Sequence, residues 1–158
     1  MKSPLPPGVL RDPVNLFSLG FGLGAVPWAP GTFGTLLGIP LYLLLKDLSW
    51  WVYGDAILLI FVLGAFAAEY TARVLGVHDH GAIVIDEVVG YLVAMIAAPA
   101  GWGWIIAGFV LFRVFDIWKP WPIGWLDRRV HGGFGIMLDD VVAGAYALLV
   151  MQIASRIF

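Results

Sequence analysis

Trp50–Tyr70 reads WWVYGDAILLIFVLGAFAAEY, and this stretch decides the fold class. It is as long as the ~20 apolar residues that span a bilayer as a helix. Trp50, Trp51 and Tyr53 open it like an interfacial aromatic belt. Asp55 falls near the headgroup level at one end and Glu69 near the other, where Arg73, four residues on, makes a favourable helix pair. The rest of the chain has the same character. It is 61% hydrophobic and 13% charged, with a mean hydropathy of +0.90. Soluble domains are roughly 45–50% apolar and about 25% charged, and a chain of 158 residues cannot bury this much apolar surface in one soluble core. The composition therefore predicts an integral membrane protein.

Upstream, Lys46–Ser49 is a polar turn, and Gly34–Leu45 is an apolar helix that is short for a full span. Val14–Gly34 (VNLFSLGFGLGAVPWAPGTFG) carries too many glycines and prolines for one continuous helix. It reads either as a re-entrant loop presenting backbone N–H groups to an anion or as a close-packed helix crossing. Thr32 and Thr35 supply hydroxyls for an anion or a helix cap. Residues 1–13 form a polar, loosely held leader, leaving 14–158 as a single membrane-embedded domain.

Downstream, Gly76–Gly81 (GVHDHG) is a polar hinge leading into an apolar segment, Ala82–Pro99, interrupted by Asp86-Glu87. Adjacent carboxylates are costly inside such a segment and point to function. After a turn at 100–103, Trp104–Phe115 is a further apolar helix, and Val141–Phe158 is the last. The architecture expected is an all-α membrane bundle of four to five apolar segments.

Between the last two segments lies a charged island, Arg113–Asp140, RVFDIWKPWPIGWLDRRVHGGFGIMLDD. Arg113, Asp116 and Lys119 share one helix face, which Pro120 and Pro122 then end. The glycines after His131 let backbone approach a ligand, and Asp139 or Asp140 can cap the following helix. Asp127 is expected to pair with a nearby cation, and Trp118, Trp121 and Trp125 to anchor the island at the headgroups.

With five spans, the leader, the Arg73–Gly81 hinge and the island share one side. That side holds Lys2, Arg11, Arg73, Arg113, Lys119, Arg128 and Arg129, against Lys46 and Arg156 on the other. The bias places the polar motifs in the cytoplasm. His78, Asp79, His80, Asp86, Glu87, Asp116, Asp139 and Asp140 can then converge on one surface. Clustered carboxylates need a cation or a proton between them, and hard divalent cations such as Mg²⁺ prefer such oxygens. Arg and Lys nearby suit a phosphate. Together they suggest metal-assisted chemistry on a phosphorylated lipid.

Several classes are excluded. The chain has no cysteine, which rules out disulfides, thiolate metal sites and Cys-based phosphatases. There is no GxxxxGK[ST] loop. A net charge of −2 without a basic patch argues against nucleic acid as a partner. A rival reading is a small ion or proton transport or assembly protein, which would stagger its acids at several depths.

Four blocks carry a resemblance: PGTFGTLLGIP (Pro30–Pro40), HDHGAIVIDEVVGY (His78–Tyr91), LFRVFDIWKPWPIGWLDRRVHGGFGIMLDD (Leu111–Asp140) and the VVAGAYA that follows. From about Gly20 to Ala147 the chain resembles the bacterial phosphatidylglycerophosphatase A family. The resemblance implies a Mg²⁺-dependent phosphatase of the bacterial inner membrane. Its substrate would be a phospholipid, phosphatidylglycerophosphate, converted to phosphatidylglycerol; a phosphatase of another phosphorylated lipid is the near alternative. On that basis Asp86, Glu87, Asp139 and Asp140 are expected to hold Mg²⁺, with Asp79 and Asp116 next. One carboxylate of this set would activate water. Arg113, Lys119 and Arg128 would grip phosphate, Thr32 would complete the pocket, and His80 or His131 would protonate the leaving alkoxide. A covalent aspartyl-phosphate is chemically open as well. Oligomeric state is not legible.

Overall fold

A computed structural model describes residues 5–157, so Lys2 of the leader and the terminal Phe158 lie outside the described residues. Helix is the regular structure among those residues, with no strand among them. In chain order the helices are α1 (Pro13–Ser18), α2 (Pro30–Leu45), α3 (Trp50–Leu75), α4 (Ile85–Ala94), α5 (Trp102–Trp118), α6 (Ile123–Arg129) and α7 (Gly132–Ala154). Short 3₁₀ turns precede and follow α1.

Helices α3 and α7 are long and apolar enough to cross a membrane. Most of the apolar window of α3 is unburied, and it presents Leu58, Leu59, Leu63 and Phe66 outward. A continuous apolar face of this kind suits lipid rather than water.

Helix α4 is the centre of the bundle, packed against α2, α3, α5 and α7. It is apolar on nearly all sides, which marks a buried helix, and Val88, Val89, Tyr91 and Leu92 are fully enclosed. The sequence suggests an apolar segment over 82–99, but the helix covers only Ile85–Ala94. Ten residues rise about 15 Å, half of a bilayer core of about 30 Å. Its apolarity therefore answers to surrounding helices and not to lipid. Close approach to α7 depends on Gly144, where a Cβ would fall on the Gly90 carbonyl. Packing at small residues is how helices associate where there is no hydrophobic drive between them.

Other boundaries differ from expectation as well. Helix α2 begins at Pro30 instead of Gly34, with the proline in the first turn where its missing N–H costs nothing. Helix α5 is longer than 104–115 and ends at Trp118, just before the two prolines, through a left-handed Lys119. Helix α7 begins at Gly132, nine residues before Val141, so Gly133 and Gly135 are helical while Gly132 enters with φ +79°. They bring backbone close to α3, since a Cβ on Gly133 would strike the Ala65 carbonyl. Asp139 and Asp140 consequently lie two turns inside α7 and cap nothing.

The glycine-rich stretch is a close-packed connection, with Gly24 pressed under the Ala82 carbonyl. Residues ahead of α1 are also packed. Val9 is buried with Leu19 and Ala82, and Asp12 caps α1 by accepting from the N–H groups of Val14 and Asn15.

Candidate active site

One end of the bundle gathers the ionisable side chains. The first turn of α4 supplies Asp86 and Glu87, the interior of α7 supplies Asp139 and Asp140, and the last turns of α5 supply Arg113 and Asp116. One oxygen each from Asp86, Glu87 and Asp140 lies within 4.8 Å of the others. At that spacing two bare carboxylates repel by about 3 kcal/mol at an effective dielectric of about 20.

Hydrogen bonding among the carboxyls relieves them only in part. Asp86 Oδ1, Glu87 Oε2 and Asp140 Oδ2 are buried without a partner, as is Arg113 Nε. Buried polar atoms are nearly always paired, so four orphans in one place call for a missing ligand. Three buried oxygens converging on a point fit a hard divalent cation.

Arg113 stands beside this centre. Its Nη1 donates to Asp116 Oδ2 at 2.5 Å and lies 3.7 Å from Glu87 Oε1. Asp116 is close enough to act electrostatically on both Glu87 and Asp140. Asp79, from the hinge before α4, acts on Asp86 and Asp139 in the same way. The start of α2 closes the group: a Cβ on Gly31 would collide with the Glu87 carboxylate and crowd the Arg113 guanidinium. Thr32 follows in that first turn, half-buried, while Thr35 turns inward and donates to the Gly31 carbonyl at 2.9 Å. Neither the crowding at Gly31 nor the turn of Thr35 was signalled by sequence beyond the glycine spacing.

Adjacent residues on α7 face different partners. Asp140 joins Asp86 and Glu87, whereas Asp139 accepts from Lys119 Nζ at 2.6 Å. Lys119 also donates to Asp127 at 2.7 Å, so Asp127 does pair with a cation, and that cation is Lys119. Burial works to strip the Lys119 proton, but the Asp139 and Asp127 carboxylates outweigh it and hold the ammonium well above the ordinary lysine range. Lys119 is thus a cation already flanked by two anions. Arg128 is exposed on α6, and no ion pair among the described residues engages it.

The histidines divide. His80 is buried, and its Nδ1 accepts the Ala82 N–H at 3.2 Å, which leaves the proton of a neutral ring on Nε2. His131 is exposed and meets His78 edge to face, with ring centroids 5.2 Å apart. His78 Nε2 in turn accepts the Gly132 N–H at 2.6 Å. Beside them Glu69 accepts the Gly133 N–H at 2.7 Å and bridges Arg73 at 2.6 Å. This second group ties the start of α7 to α3, and His131 belongs to it. Two buried polar residues had not stood out in the sequence: Asn15, which accepts from Thr71 at 3.0 Å, and Ser18, whose carbonyl receives the Val84 N–H ahead of Asp86. Their only sequence signal is polarity inside an apolar run.

Fold and site together define a class: an all-helical bundle with span-length apolar helices and, at one end, a buried carboxylate centre suited to a cation, flanked by a guanidinium. The pattern of one family, phosphatidylglycerophosphatase A, matches residues 16–155, and the chain belongs to that family. The Escherichia coli (strain K12) protein named phosphatidylglycerophosphatase A is 48% identical over 136 residues, covering 85% of this chain and 79% of the relative. Its Haemophilus influenzae namesake is 44% identical over 156 residues, 95% and 93% of the two chains. A third relative, from Bacteroides thetaiotaomicron, is 38% identical over 147 residues, 88% and 91% of the two, and bears a provisional name, phosphatidylinositol-3-phosphatase. No solved structure matches the chain.

Proposed function

We propose that this protein hydrolyses phosphatidylglycerophosphate to phosphatidylglycerol and inorganic phosphate in phospholipid synthesis, with Mg²⁺ at the carboxylate centre. The observation that carries the reading is the trio Asp86, Glu87 and Asp140, whose buried oxygens lack partners beside Arg113. Membership of a family named for this reaction supplies the substrate. A transport pathway would spread its acids through the bundle, and gathering three within 4.8 Å at one end favours a reaction centre.

In this reading Asp86, Glu87 and Asp140 hold the ion, with Asp139 and Asp79 behind them. Bound there, Mg²⁺ supplies charge stabilisation for the phosphoryl oxygens. Arg113 donates to the terminal phosphate through its unpaired Nε and orients it. A carboxylate of the cluster, with Asp116 at its edge, orients the attacking water and accepts its proton. Water oxygen bonds to phosphorus as the bond to the glycerol oxygen breaks, and that alkoxide leaves with a proton. His80, buried in the hinge beside Asp79, and His131, exposed at the start of α7, are the imidazoles available to donate it as imidazolium. Thr32 and Arg128 border the phosphate approach, and Lys119 holds Asp139 in place while adding positive field.

The active domain spans 14–158 and lies in the bacterial inner membrane with this end in the cytoplasm. The cationic bias of Arg11, Arg73, Arg113, Lys119, Arg128 and Arg129 toward one end supports that orientation. The name of the Bacteroides relative favours one second reading, in which the same centre serves another phosphorylated lipid. Phosphate release by purified protein in detergent decides between them. It should be fastest on phosphatidylglycerophosphate and lost with chelator. Faster release from phosphatidylinositol 3-phosphate would keep the centre and change the substrate, and release from neither would overturn the reading.

A further inference from the structure

The outer face of α5 carries an apolar groove of about 640 Å³ lined by Phe109, Val110, Arg113, Val114, Ile117 and Trp118. That volume lies within the roughly 300–1,000 Å³ usual for small-ligand pockets. Five linings are apolar, and Val110, Val114, Ile117 and Trp118 face outward. The sixth is Arg113, the same side chain that approaches Glu87 and Asp116. Two other outer grooves, one between α1 and α3 and one beside Phe134, touch neither Arg113 nor the three clustered carboxylates.

From Phe109 to Trp118 the helix rises about 14 Å, close to the depth of one leaflet in a core of about 30 Å. The single charge along this apolar strip of leaflet depth is Arg113, whose Nη1 is held by Asp116 while its buried Nε has no partner. A ligand matching both features has an anionic phosphate and hydrocarbon attached to it.

We infer that the α5 groove seats the glycerol backbone and an acyl chain of the phosphorylated lipid, which enters sideways from the leaflet and reaches the carboxylate centre past Arg113. This rests on the phosphatase reading and adds the part of the substrate that does not react. Phe109 and Val110 lie on the midplane side of Arg113 and take the chain. Val114, Ile117 and Trp118 form the wall on the interfacial side. Binding energy from the non-reacting chain then positions the phosphate.

The test compares dioleoyl phosphatidylglycerophosphate in mixed micelles with its deacylated headgroup as substrates. Val110→Trp fills the groove, and Leu149→Trp places the same bulk on the exposed face of α7. Val110→Trp should raise the KM for lipid relative to that for the headgroup about tenfold, while Leu149→Trp leaves the ratio unchanged. An unchanged ratio in both variants overturns the groove and makes the strip a surface for bulk lipid only. Turnover of the headgroup reports folding in each variant.

If the unaltered chain releases no phosphate, the phosphatase reading falls and a second measurement still decides the groove. The chain has no cysteine, so Val114→Cys carries a unique thiol. Its alkylation should slow severalfold with dioleoyl phosphatidic acid but not with dioleoyl phosphatidylcholine. Equal rates with the two lipids would overturn the inference.

Discussion

The two ends of the bundle handle buried polarity in opposite ways. At the end away from the site, Tyr53 donates to the Leu92 carbonyl at 2.7 Å and Tyr91 to the Ile105 carbonyl at 3.3 Å. Gln152 donates to the Ala97 carbonyl at 2.9 Å, and Lys46 pairs with Asp47 in the open. These are neutral or solvated groups with partners. At the site end, three carboxylate oxygens and a guanidinium nitrogen are buried without partners. One end is arranged for stability. The other gathers buried acids that a cation or a proton must relieve, which is the usual position of a functional centre.

The sharpest way to break this contrast is Asp86→Asn. Loss of one ligand carboxylate should lower phosphate release about a thousandfold. The same change removes an ionisable carboxyl from a crowded trio, so the metal-free protein should gain stability, by up to about 2 kcal/mol where the carboxyls are ionised. Thermal unfolding in detergent, with chelator present, checks the second half. A variant that is both inactive and less stable would mean the carboxylates are structural.

Arg113→Ala tests the cation of the same centre and should move stability the other way. It strands Asp116 and Glu87, at a cost of about 3 kcal/mol, toward the low end for breaking a buried pair. Release of phosphate should fall with it, and Arg113→Lys should recover stability better than rate, because an ammonium lacks the fork. Equal recovery of both would remove the role of the Nε donor.

Mg²⁺ should stabilise the wild type by about 2.7 kcal/mol at a hundred times its dissociation constant. Asp86→Asn should lose most of that gain. If chelator and Mg²⁺ give the same unfolding temperature in the wild type, the orphaned oxygens do not form a cation site. The smallest effect belongs to the opposite end. Tyr53→Phe should cost about 1 kcal/mol through the bond to Leu92 and leave phosphate release unchanged. A loss of activity there would couple the two ends.

Much of the fold was legible in local sequence. The run Trp50–Tyr70 predicts α3, and Pro120 and Pro122 predict the end of α5, because length, apolarity and a missing N–H act locally. The start of α7 was hidden for a physical reason. Gly132, Gly133 and Gly135 are poor helix formers, yet α3 accepts the Gly133 backbone at a distance no side chain permits, and Gly135 lies as tightly under the Val130 carbonyl. Packing gain there overrides propensity, and no local signal reports it. That single shift also moved Asp139 and Asp140 from the helix end to its interior.

The candidate site was legible as a set and not as a geometry. Asp86 and Glu87 of α4 and Asp140 of the island do meet at one end, with Asp79 of the hinge within electrostatic reach. Which of them touch depended on helix phase. Successive residues of a helix point about 100° apart, so Asp140 faces α4 while Asp139 faces Lys119. His131 was drawn to His78 on the α3 side by the same start of α7.

By itself, then, the sequence determined a helical bundle too apolar for water, with most of its charges at one end and an acid pair embedded in a hydrophobic run. Composition and periodicity suffice for that, since both act residue by residue. Tertiary structure decided that the acid pair sits on a half-length helix enclosed by four others, and that Asp86 and Glu87 meet Asp140, more than fifty positions away. That meeting follows from α4 and α7 approaching backbone to backbone at Gly90 and Gly144, a contact neither segment specifies alone.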